Sequence, residues 1–124
     1  LKHRCGKGTA YYLSLPLEAS LAKEPFAFDR SEAWKLYSGL KEAAGLESVV
    51  DYPDPQCERC WNPDQEGHGW LTVINHRREA VEAGLTSSRR ILAVNRTAGE
   101  AEITGTRIRL EPLQAAIFEV SLGA

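Results

Sequence analysis

The sequence predicts a mainly β protein: a small antiparallel β-sandwich with one N-terminal helix preceded by a strand. Three observations point there. From Glu47 onward the apolar residues recur with a period of two rather than 3.6. Five to seven short runs rich in β-formers follow one another. Turn-forming residues separate them every eight to twelve positions, the spacing of a sandwich or small barrel.

The elements follow in order. "GTAYYLSLPL" (Gly8 to Leu17) is rich in β-formers and bounded by Gly8 and Pro16, so it reads as a strand. "EASLAKEPFAF" reads as an irregular connection interrupted by Pro25. "DRSEAWKLYSGLKEAAGL" is the clear helix. Asp29 or Ser31 can cap it, and Glu32 stands three residues after Asp29 as in a capping box. Ala33, Leu36, Tyr37, Leu40 and Ala44 form an apolar stripe at helical spacing, with Trp34 at its edge. Gly45 suits the left-handed position after the C-cap, from which Leu46 folds back on the last turn. A domain boundary is expected near Leu46, dividing a strand–helix segment, 1–46, from the β domain, 47–124.

Within the second part, "ESVVDY" is a short strand ended by the turn "PDPQ", and "CERCW" alternates small apolar with charged residues. "NPDQEGHG" is a loop dense in turn formers. "WLTVINH" is a strong strand, with Trp70, Thr72 and Ile74 on one face and Leu71, Val73 and Asn75 on the other. "AVEAGL" and "RRILAVN" are further strands, "TAGE" a turn, and "AEITG" a weak strand. "TRIRLEP" alternates through Ile108 and Leu110, and "QAAIFEVSL" closes the chain.

Composition narrows the function. The 124 residues allow one modest core. A net charge of -2 gives no basic excess to draw a polyanion, so nucleic acid is not an expected partner. No apolar stretch approaches the roughly 20 residues that span a bilayer. The chain begins at Leu1 and contains no Met, so it is expected to be a piece of a longer chain. The odd count of three Cys argues against a closed disulfide framework and fits a reducing cytoplasm.

Three constellations invite chemistry. Cys57-Glu58-Arg59-Cys60 supplies half of a tetrahedral zinc site, which would need completion from His3, Cys5, His68 or His76. On an extended strand the two Cys fall on opposite faces, so ordinary reduced thiols are the expectation, and a small metal-binding protein is the alternative. Trp61, Trp70 and Tyr52 flank the polar loop and are candidate sugar contacts, as in a carbohydrate-binding module. The competing expectation has Trp70 packed in the core and Trp61 covering an edge. Asn75-His76-Arg77 puts an imidazole beside an amide and a guanidinium. Catalysis by His76 needs an orienting acid and a nucleophile, whereas a hairpin corner accounts for the triplet without them. No carboxylate pair stands out as a glycosidase dyad, and neither catalytic residue, cofactor nor metal is assigned.

Four segments together carry a resemblance. "GKGTAYYLSLPLE" is similar to the last strand of the flavodoxin-like trimerisation domain of bacterial β-galactosidases of glycoside hydrolase family forty-two, and "SEAWKLYSGLKEAAGL" to the helix that follows it. "GWLTVINHRREAV" resembles the opening of that family's small C-terminal β domain: an aromatic, an apolar strand, then Asn-His. "GTRIRLEPLQAAIFEV" resembles its ending: a Gly turn, an alternating strand, Pro and a closing apolar strand. The chain departs from the family where "ILAVNRTAGE" stands in place of a Leu-Leu-Thr-Gly-like segment. The resemblance implies a non-catalytic accessory domain of a cytoplasmic enzyme, packed against the preceding domains and supporting the enzyme or its oligomer. The family's catalytic glutamates lie in a barrel outside this chain, so no catalytic residue carries over.

Overall fold

A computed structural model describes residues 1–25, 27–64 and 67–124, and for Phe28 and Asp29 the backbone alone. The chain divides into two compact units, Leu1–Ala33 and Trp34–Ala124.

The first unit opens with a hairpin of β1 (Lys2–Cys5) and β2 (Gly8–Tyr11). Gly6, with φ +58, takes the first central position of its two-residue turn, the place where a type II′ turn wants glycine. The polar "KHRC" run therefore pairs as a strand, which its composition does not announce. Two short helices follow, α1 (Leu17–Leu21) and α2 (Ala27–Arg30), where an irregular connection is expected. Pro16 stands at the N-cap of α1 and Glu18 in its first turn, which suits the positive end of a helix dipole. None of this unit's residues with a described side chain is buried.

The second unit begins with α3 (Trp34–Ala43), shorter than the predicted helix. Asp29 belongs to α2 instead, and its side chain lies outside the described residues, while Ser31 Oγ accepts Ala33 N–H at 3.4 Å. The C-terminus is as expected: Gly45 has φ +65, its N–H donates to Glu42 O, and Leu46 N–H donates to Lys41 O. Those two bonds are the Schellman pattern. The apolar stripe of α3 contributes no buried residue.

The sandwich is built from β3 (Val50–Asp51), β4 (Cys57–Pro63), β5 (His68–Asn75), β6 (Val81–Gly84), β7 (Thr86–Ser87), β8 (Ile91–Gly99), β9 (Glu102–Thr104), β10 (Arg107–Leu110) and β11 (Ala115–Leu122). One sheet has the order β4-β5-β11-β8 and the other β6-β10-β9, with β3 paired to β7 beside them. All pairings are antiparallel. The core forms between the sheets from Leu71, Val73, Ala116, Phe118, Val120, Val81, Ile108 and Leu110, joined by Val50, Tyr52 and Cys57. The central strands β5, β10 and β11 alternate, so one face of each is withdrawn from water, whereas β7, β8 and β9 carry no buried residue.

Two predicted features change. "TAGE" is not a turn: β8 continues to Gly99, which pairs with Ala116. Gly99 has φ +78, and a Cβ there would run into Ala115 O, so only glycine lets the strand close so tightly against β11. The Asn75-His76-Arg77 corner does not join a hairpin. β5 and β6 belong to different sheets, so the triplet opens an arch that crosses the sandwich. A second arch, Glu111–Gln114, returns from β10 to β11.

Ile108 is completely buried, on the central strand of its sheet. Ile108→Ala should lower the unfolding free energy by about 2–4 kcal/mol in chemical denaturation. A loss within the roughly 0.5 kcal/mol of a surface substitution would mean that the faces of β10 are reversed.

Candidate functional site

All three side chains of the triplet Asn75-His76-Arg77 are engaged. Asn75 is fully buried at the end of β5. Its amide nitrogen donates to Glu79 O at 2.8 Å, in its own arch, and to Glu111 O at 3.0 Å, in the other. Its Oδ1 accepts from Arg77 N–H at 3.0 Å, a local Asx turn. The backbone closes the same knot: Asn75 N–H donates to Gln114 O and Leu113 N–H to Arg77 O. Leu113 is held at φ +60, a strained position for a residue with a Cβ. Arg77 reaches Asp54 Oδ2 at 3.1 Å, and Asp54 in turn accepts Gln56 N–H at 2.9 Å, so the arch is pinned to the "PDPQ" turn. His76 meets Glu58 at 2.9 Å on the exposed edge. Through these contacts the cluster joins the two arches to one another and to the turn before β4.

The Cys pair is split by the strand, as its spacing predicts. Cys57 is buried and Cys60 exposed on opposite faces of β4, so the two cannot grip one ion. His68 and His76 lie at opposite ends of β5, and His3 and Cys5 belong to the first unit. Among the described residues no group of three or more His, Cys, Asp or Glu is placed to hold a metal. Burial, reinforced by the Asp54 carboxylate, pushes the Cys57 thiol up to about 11. Burial likewise raises the Tyr52 hydroxyl well above its ordinary range, with the charges of Cys57 and Asp54 adding to it.

The aromatic candidates separate. Tyr52 is fully buried and its hydroxyl donates to Ile108 O at 3.2 Å, so it offers no surface to a sugar. Trp61 pairs across from Leu71 and therefore faces inward. Its ring covers Gly69, where a Cβ would come within 2.5 Å of the indole. Its buried Nε1 has no hydrogen-bond partner among the described residues. Trp61 thus caps the edge of the core, as expected. Trp70 does not pack in the core: it is 43% exposed on the outer face of the four-stranded sheet. The reason is register. Leu71 and Val73 stand opposite Phe118 and Ala116 on the inner face, which sends the even-numbered residues of β5 outward.

The row of Trp70 on the outer face is polar, while the next row carries Ile117, 36% exposed opposite Thr72. Asn62 is its partner on β4 and Glu119 its partner on β11, with Asn95 beyond Glu119 on β8. His68 Nδ1 lies 2.9 Å from Ser121 Oγ in the adjacent row. Sequence reading missed this row, because cross-strand neighbours depend on pairings between distant segments. Elsewhere, a shallow pocket of about 70 Å³ is lined by Glu82, Glu102, Thr104, Arg107 and Arg109. It is far below the roughly 300 Å³ of a small-molecule site, and its charges pair internally, Arg107 with Glu82 at 2.8 Å and Arg109 with Glu102 at 3.9 Å.

Comparison with protein-family models, curated proteins and solved structures finds no match for this chain.

Two tests address the joint and the thiol. Asn75→Ala removes both donated bonds and leaves the carbonyls of Glu79 and Glu111 without their donor. It should cost about 2–4 kcal/mol, on the scale of roughly 1–3 kcal/mol for each unsatisfied buried group. Asn75→Asp is more informative, because a carboxylate turned on two carbonyls is repelled and desolvated. Its carboxyl pKa should be raised in the folded chain, so its penalty should be largest at neutral pH and shrink as pH falls toward 3. A pH-independent penalty would remove the carbonyl contacts from the explanation.

Cys57 gives the opposite pH test. A thiol held at about 11 in the folded chain keeps its proton after the unfolded thiol, at 9.0, has lost it. Its contribution is therefore constant below pH 9 and is lost as pH rises from 9 toward 11. Denaturation midpoints should fall across that window and fall less steeply in Cys57→Ala. Equal slopes for the two proteins would show that another group controls alkaline stability.

Proposed function

We propose that this chain is a non-catalytic accessory β domain from the C-terminal region of a β-galactosidase-like glycoside hydrolase in the cytoplasm. Its role is to pack against the preceding domains and stabilise the parent enzyme or its oligomer. The observation that supports this reading is a first unit whose apolar side chains lie largely at its surface. Tyr11, Tyr12, Leu13 and Leu15 follow one another in the first unit, with Tyr12 67% and Leu15 71% exposed. Large apolar side chains left exposed in such number suit a segment that is covered by another part of a larger protein. A segment of 33 residues in which none of the described side chains is buried has no core with which to stand alone.

The resemblance to family forty-two fits the architecture. The aromatic–strand–Asn-His pattern coincides with β5 and its arch. The alternating strand, Pro and closing strand coincide with β10, Pro112 and β11. The charged residues around the shallow pocket are engaged in ion pairs with one another.

The 124-residue chain should not hydrolyse nitrophenyl β-galactoside. In the intact gene product, removing residues 34–124 should lower the melting temperature of the hydrolase or loosen its oligomer. Turnover by the isolated chain that disappears with one Asp or Glu substitution within it would defeat the proposal.

A further inference from the structure

The outer row of the four-stranded sheet carries a second inference, independent of the parent enzyme. We propose that Asn62, Trp70, Glu119 and Asn95 form a binding row for a neutral hexopyranose oligosaccharide, with Trp70 as the stacking platform. The four residues lie on four adjacent strands in one register line. They run across the sheet at the interstrand spacing of about 4.8 Å, close to the width of a pyranose ring.

The chemistry of the row is specific. A pyranose offers an apolar face of C–H bonds and a rim of hydroxyls. The indole supplies an amphipathic plane for the first, and the flanking amides and carboxylate supply donors and acceptors for the second. The groups are available. Among the described residues Glu119 and Asn95 make no side-chain hydrogen bond or ion pair, and Asn62 has only a long contact, its Nδ2 to Cys60 Sγ at 3.6 Å. Three polar side chains in line with the indole suit a ligand that presents both hydroxyls and an apolar face. No cation is among the four, so the row does not suit an anion. Glu119 sets a limit: its carboxylate repels a uronic acid and accepts from a neutral hydroxyl. The platform is an open face rather than a cleft, so one ring makes few contacts and affinity must come from several sugars along the row.

The test is an NMR titration of the full 124-residue chain with β-1,4-galactotetraose, cellotetraose and, as the acidic counterpart, tetragalacturonate. The Trp70 indole N–H cross-peak is assigned by its loss in Trp70→Phe. One or both neutral tetraoses should shift it together with the side-chain amides of Asn62 and Asn95, saturably and in the millimolar range. Trp70→Ala should lose the affinity by about tenfold or more, while Trp70→Phe keeps part of it because a flat ring remains. Trp70→Phe should hold the melting temperature within a few degrees, and a dispersed amide spectrum should show that Trp70→Ala is folded. The acid should bind the wild type more weakly than the neutral chains, and Glu119→Gln should narrow that gap. Three results would overturn the proposal: no shift with either neutral tetraose, shifts that leave the row untouched, or an acidic ligand bound equally well by wild type and Glu119→Gln.

Discussion

The sandwich depends on one buried amide. Two arches cross between the sheets at the same end of the sandwich, and two of their carbonyls, those of Glu79 and Glu111, turn toward the buried side chain of Asn75. Asn75 meets both with a single side chain that donates to Glu79 O in one arch and Glu111 O in the other. An aliphatic residue there would extend the apolar face of β5 and leave both carbonyls unpaired. Because the two bonds lead to different crossovers, the amide couples segments 32 residues apart, Glu79 and Glu111. The strained Leu113, whose N–H donates to Arg77 O, shows the second arch bent to fit the first.

From that joint the register of the four-stranded sheet follows, and with it the fate of both tryptophans. Once Leu71 and Val73 face Phe118 and Ala116, Trp61 must lie inward over Gly69 and Trp70 must stand outward. The same alternation divides Cys57 from Cys60. What looks in the sequence like a metal-binding pair becomes one buried thiol and one surface thiol. The site chemistry of this chain is thus a consequence of strand register rather than of local motifs.

This also explains what was legible in the sequence. β10 and β11 alternate strictly, so their core faces could be read residue by residue, and Gly45 announced its helix end through backbone chemistry alone. The strand of Trp70 was harder. Both of its faces are apolar enough to be buried, and the size of the indole argued for the wrong one. The decisive information sits in β11, some 45 residues away, in the partners of Leu71 and Val73. The arch was read as a hairpin for a similar reason. A turn-forming triplet reports that the chain bends, and only the long-range pairing of β6 with β10 reports which sheet it enters. The β1 strand left no apolar signal, because a hairpin exposed on both faces needs none.

The most direct measurement is native-state hydrogen exchange at the joint. The amides to follow are Asn75 N–H, Arg77 N–H and Leu113 N–H, all bonded within the two arches. If the buried amide locks the arches together, these protons should exchange with one common opening free energy, close to that of the core amides of β5 and β11. In Asn75→Ala the Leu113 proton should become the faster of the set, uncoupled from β5. Independent, low-energy opening of the two arches in the wild-type protein would contradict the account.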